Sequence, residues 1–151
     1  MSYQEKTIAV SLTSFTLILG IYLFGLLGMV RDGSFDQRNL FLLWGIVIAL
    51  AIIFTIAATI LTMIVSAIIE AIRTGDQNPE INDVADERDR LIDLRGTRVT
   101  YLVSSIGVFL AMLTFVLGRP PLVMFALLIF VGLVAQIVGD ISRLVLYRRG
   151  F

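Results

Sequence analysis

The stretch DQNPEINDVADERDRLIDLRGTR, residues 76–98, decides how the rest of the chain is read. It is the only long polar segment in a chain that is 58% apolar, with a mean hydropathy of +0.93. That composition is too apolar for an ordinary soluble domain. The segment divides the chain into two hydrophobic halves, and each half contains two runs long enough to cross a bilayer. A lipid core about 30 Å thick takes roughly 20 apolar residues in helical form. The runs are about 8–30, 40–72, 99–117 and 122–146. The expected fold is therefore an all-α integral membrane protein, one domain over 1–151, with four transmembrane helices arranged as two hairpins and residues 76–98 as the linker.

The connections within each half are short. Residues 31–39 (RDGSFDQRN) carry Asp-Gly, a turn signal, and Gly118-Arg-Pro-Pro121 places proline at the first turn of the fourth helix. Only Lys6 precedes the first run as a basic residue, the run is too long for a signal peptide, and no small-residue cleavage site follows, so it reads as a retained span. Basic residues set the orientation. Lys6, Arg73, Arg88, Arg90, Arg95, Arg98, Arg143, Arg148 and Arg149 fall on one side, and only Arg31, Arg38 and Arg119 on the other. This places both termini and the linker in the cytoplasm of a cell-membrane protein. The hairpins also share short strings: Thr13 and Gly20-Ile-Tyr-Leu23 match Thr100 and Gly107-Val-Phe-Leu110 at one spacing, as a diverged tandem repeat would.

The chain has no cysteine and no histidine. That removes disulfides, thiolate chemistry, imidazole-based zinc sites and histidine acid–base catalysis. Ser104 and Ser105 have no general base beside them, so an enzyme is not expected, and no cofactor is implied. A formal net charge of zero offers nothing to nucleic acid.

Polar residues inside the spans fall at helical spacing. Thr55, Thr59, Thr62, Ser66 and Glu70 stack on one face of the second span, and Gln136, Asp140 and Arg143 on one face of the fourth. Thr7, Ser11 and Ser14 in the first span, and Thr97, Thr100 or Tyr101, and Ser104 in the third, lie in the same cytoplasmic half. The outer half is almost entirely apolar. One reading makes Glu70, Gln136, Asp140 and Arg143 a polar cluster in a cytoplasm-facing pocket that binds a cation or relays a proton. The other has the hydroxyls bonding the carbonyl one turn back and Asp140 paired with Arg143, Arg95 or Arg98. Gly45-x3-Ala49 and Ala135-x3-Gly139 let helix backbones approach, within the bundle or in a homo-oligomer.

The linker has its own polarity, with acids first and arginines after. Asp83 is placed to cap a helix with Asp86 and Glu87 in its first turn, and Asp86–Arg90 is an i,i+4 pair. Val84, Leu91, Ile92 and Leu94 supply an apolar stripe, and Gly96 is read as a loosening of the join to the third span. Asp76, Asn78, Glu80, Asn82 and Glu87 match the ligand places of a calcium loop, but Ile81 stands where the pattern needs glycine and Pro79 intrudes, so no metal site is assigned.

Asp86-Glu-Arg-Asp-Arg-Leu-Ile92, followed by Arg95-Gly-x-Arg98 and a span, resembles a signature of small uncharacterised prokaryotic four-span membrane proteins. The resemblance covers the motif and the span layout and implies no activity. The sequence reading is thus a non-catalytic accessory or scaffold subunit. It would present Asp86, Glu87, Arg88, Asp89, Arg90, Arg95 and Arg98 to a cytoplasmic partner, and live in the lipid bilayer as a homo-oligomer or in a larger complex. The alternative is a small oligomeric carrier with Asp140 and Glu70 at its site.

Overall fold

The computed structural model describes residues 3–74 and 87–149. These form four α-helices: α1 (Tyr3–Arg31), α2 (Gln37–Thr74), α3 (Glu87–Val116) and α4 (Pro121–Arg148). All four are long and apolar enough to cross a membrane. At about 1.5 Å per residue, even α4, with 28 residues, extends past a 30 Å hydrocarbon core. The chain is a multi-pass membrane protein built as a four-helix bundle.

Both hairpin turns close by the same device. Gly33 and Gly118 have φ of +67° and +82°, the left-handed conformation that glycine adopts without a Cβ clash. At the first, the Ser34 amide donates to the Met29 carbonyl. At the second, Gly118 N–H donates to Phe115 and Arg119 N–H to Thr114, the Schellman pattern that satisfies a helix's last carbonyls. Asp36 then caps α2, its Oδ1 accepting from the Asn39 amide at 2.8 Å. Helix α4 has no side-chain cap and opens on Pro121, which lacks the amide hydrogen that a first-turn residue would leave unbonded.

The helices pack in the order α2–α1–α4–α3. Helix α1 lies between α2 and α4, and the core follows it: Ile18 and Tyr22 of α1 meet Leu43 and Val47 of α2 and Leu133 of α4. Helix α3 packs against α4 alone to any extent, and only 6% of its span is buried within the chain against 22% of that of α4. The remaining apolar surface, including Phe24, Ile72, Phe109 and Val116, faces outward, as lipid-exposed side chains do.

Helix α3 shows where the expected linker differs. Rather than joining the span through a loosened glycine, residues 87–98 form its first three turns, with Gly96 buried inside an unbroken helix. Ile92 is buried, while Leu91 and Leu94 of the expected apolar stripe are both 51% exposed. Asp83, Val84, Asp86 and the calcium-like spacing over 76–82 lie outside the described residues.

Candidate functional site: a charged cleft at the terminal end of the bundle

Helix α4 contributes Gln136, Asp140, Arg143 and Tyr147, at spacings of four, three and four that place them on one face. Asp140 is 2% exposed. A buried carboxylate costs several kcal/mol unless it is paired and hydrogen-bonded. Here Arg143 Nη1 donates to its Oδ1 at 3.0 Å, Gln136 Nε2 to the same oxygen at 3.2 Å, and Ser11 Oγ of α1 to Oδ2 at 2.7 Å. The guanidinium also reaches α3, with Nε donating to Asp93 Oδ1 and Nη2 to Thr97 Oγ1, both at 2.9 Å. The arginine therefore ties α4 to α3, Asp140 extends the tie to α1 through Ser11, and of the three arginines weighed as partners for Asp140 it is Arg143 that pairs with it.

Glycine makes this reach possible. A Cβ at Gly96 would collide with the Arg143 side chain, and one at Gly139 would collide with Thr100 Oγ1. The α3 and α4 backbones come close at these two positions, and the arginine stem crosses α3 over bare backbone. Ala135 and Gly139, the small-x3-small pair, are both buried in this half of the bundle. Gly45 of the other pair faces open space.

One helical turn further out, the Tyr147 hydroxyl donates to Asp89 Oδ1 at 2.8 Å and lies 3.2 Å from the Gln4 side-chain oxygen. The Arg88 guanidinium approaches the Tyr147 carbonyl at 3.4 Å. Asp89, Ile92, Asp93, Gly96, Thr97 and Thr100 thus form the inward face of α3. The opposite face carries Glu87, Arg90, Leu91, Leu94 and Arg98, all exposed. Between α1, α3 and α4 a cleft of about 370 Å³ remains, lined by Gln4, Thr7, Ser11, Asp93, Asp140 and Arg143 among others.

The structure brings together Gln136, Asp140 and Arg143 of the expected cluster. Glu70 is on α2, which touches α4 only slightly, and its side chain lies outside the described residues. The expected partner surface divides: Glu87, Arg88, Arg90, Arg95 and Arg98 are exposed, Asp89 turns inward to Tyr147, and Asp86 lies outside the described residues. Most hydroxyls bond one turn back, as Thr55 does to the Ala51 carbonyl, Thr59 to Thr55 and Thr62 to Ala58. Ser11 and Thr97 instead reach across to the ionic network. Sequence reasoning missed Asp93 and Tyr147 as its members. Their signal was the recurrence of Asp89, Asp93, Gly96 and Thr97 on one helical face, opposite the Asp140–Arg143–Tyr147 face.

No group of three or more acidic, histidine or cysteine side chains gathers to hold a metal among the described residues. No family model matches the chain, and neither a curated protein nor a solved structure matches it.

Proposed function

We propose that this is a non-catalytic membrane protein that works by assembly, an accessory or scaffold subunit that offers the outward face of α3's first three turns to a cytoplasmic partner. The observation that carries this reading is the bracing of those turns. Asp89 is bonded by Tyr147, and Asp93 and Thr97 by Arg143, so about 18 Å of helix stands as a stem fixed to the bundle. A braced helix loses little further conformational entropy when a partner binds. Its outward stripe combines two half-exposed leucines, Leu91 and Leu94, with Glu87, Arg90 and Arg98, an apolar centre with a charged rim. The test is purification from native membranes in mild detergent, with mass spectrometry of what accompanies the protein. Replacing Arg90 and Leu94 together with Glu is expected to release the partner while helicity and thermal stability stay as in the wild type. An unchanged set of companions would overturn docking on this face.

A second reading, a small oligomeric carrier with Asp140 and Glu70 at its site, draws support from the cleft beside Asp140. It requires Asp140→Asn to abolish a substrate- or proton-dependent flux in an assembled protein. Against it, both oxygens of Asp140 are already engaged by the protein's own donors.

A further inference from the structure

We propose that the cleft between α1, α3 and α4 binds a small organic cation through a primary ammonium group, independently of any partner on the outer face of α3. Its volume of about 370 Å³ lies within the range of small-molecule pockets. Among the described residues that line it, two carboxylates, Asp93 and Asp140, face one guanidinium, Arg143. Those residues carry one negative charge in surplus.

The arginine is held by the walls of the cleft: three of its five N–H groups donate to them, Nε to Asp93, one from Nη1 to Asp140 and one from Nη2 to Thr97. Beside it the cleft presents acceptors. Asp93 commits only Oδ1 to Arg143, its side chain is 64% exposed, and Oδ2 takes no bond among the described residues. Gln136 spends its amide nitrogen on Asp140, and its side-chain oxygen takes no bond among the described residues. Ammonium hydrogens bonded to a carboxylate and an amide oxygen make charge-assisted hydrogen bonds.

The cavity is far larger than a bare ion needs, and the described residues gather no carboxylate cluster of the kind a divalent metal requires. Ile8 and Ile92 add apolar wall beside the acceptors, which suits the alkyl part of an organic amine.

The test is thermal unfolding of the full chain in a non-ionic detergent, titrated with n-propylammonium chloride. Sodium chloride at matched ionic strength and neutral 1-butanol are the controls. A saturable rise in Tm is expected with propylammonium alone. Asp93→Asn keeps an acceptor for Arg143 but removes the surplus charge, and is expected to raise the half-saturating concentration at least tenfold. Ile8→Trp fills the cleft from α1 and is expected to abolish saturation. It decides by the same criterion should Asp93→Asn fail to fold. A rise equal to that with sodium chloride, no saturable rise in the wild type, or half-saturation unchanged in whichever of the two variants folds would overturn the proposal.

Discussion

In both hairpins the first helix ends at a left-handed glycine, Gly33 in one and Gly118 in the other, yet the helix pairs meet through different chemistry. Helices α3 and α4 approach over Gly96, Gly107 and Gly139, each of which would drive a Cβ into a side chain of the other helix. At one end of that contact sits the Arg143 network. Helices α1 and α2 meet chiefly through apolar side chains, with Gly25 against Leu43 as their one close glycine contact, while Gly20, Gly28 and Gly45 face open space. The matched strings are used in opposite ways. Tyr22 is fully buried and donates to the Ala126 carbonyl at 2.7 Å, whereas its counterpart Phe109 is 66% exposed. The reason is position: α1 lies inside the row of helices and α3 at its edge, and the α1–α4 contact has no comparable α3–α2 counterpart. Similar local sequence therefore does not give the same packing partner.

The largest expected effect comes from removing the charge that only the second hairpin carries. Arg143→Met leaves Asp140 buried without its counter-ion and is expected to cost about 3–5 kcal/mol, read as a loss of unfolding free energy in detergent. The double variant Asp140→Leu with Arg143→Met removes both charges and is expected to recover most of that loss. If the single and double variants are equally destabilised, what matters is the arginine's bonds to Asp93 and Thr97 rather than its pairing with Asp140.

Next come the matched glycines. Gly107→Ala pushes a methyl group into Val131 of α4 and is expected to cost about 1–3 kcal/mol. Gly20→Ala, at the equivalent place in α1, meets nothing within 4 Å. It is expected to stabilise by about 0.5–1 kcal/mol through helix propensity. A loss at Gly20 as large as that at Gly107 would show that a second molecule occupies the open face.

Four spans, two short loops and the polar end were legible in the sequence because hydropathy and helical spacing act over many residues at once. The start of α3 was not. Arg88, Asp89, Arg90 and Asp93 depress the local hydropathy, so the segment reads as linker, and it is bonds from Tyr147 and Arg143, more than 45 residues away, that attach it to the bundle. Asp140 and Arg143 were legible as neighbours because they lie three apart on one helix. Asp93 and Ser11 became partners of that pair only once the order α2–α1–α4–α3 brought α1 and α3 to either side of α4. Gly96 was misread for a related reason. A lone glycine in a charged stretch looks like a hinge, and only the arginine crossing it shows that the missing Cβ is what counts.

Tyr22 and Phe109 extend the contrast to a smaller scale. Tyr22→Phe removes one buried hydroxyl and leaves the Ala126 carbonyl with its own helical bond, so the expected loss is about 1 kcal/mol. Phe109→Tyr adds a hydroxyl on an exposed face and tests whether the motif itself matters. An equal and opposite gain there would point to a polar neighbour for α3 within the membrane.

The smallest effect is expected in α2, where hydroxyls bond their own helix. Thr59 donates to the Thr55 carbonyl at 2.9 Å, an oxygen that also accepts the backbone amide one turn on. Replacing Thr59 with Val keeps the shape and removes a bond whose loss strands no buried donor, and surface changes of this kind fall within about 0.5 kcal/mol of zero. Ser11 is the contrasting case. Its hydroxyl crosses to Asp140, so Ser11→Ala takes a donor from a buried carboxylate and is expected to cost more than Thr59→Val in the same unfolding assay, by about 1 kcal/mol or more. Equal effects of the two substitutions would mean that Asp140 draws its stabilisation from Arg143 and Gln136 alone, and that α1 joins the network by proximity rather than by energy.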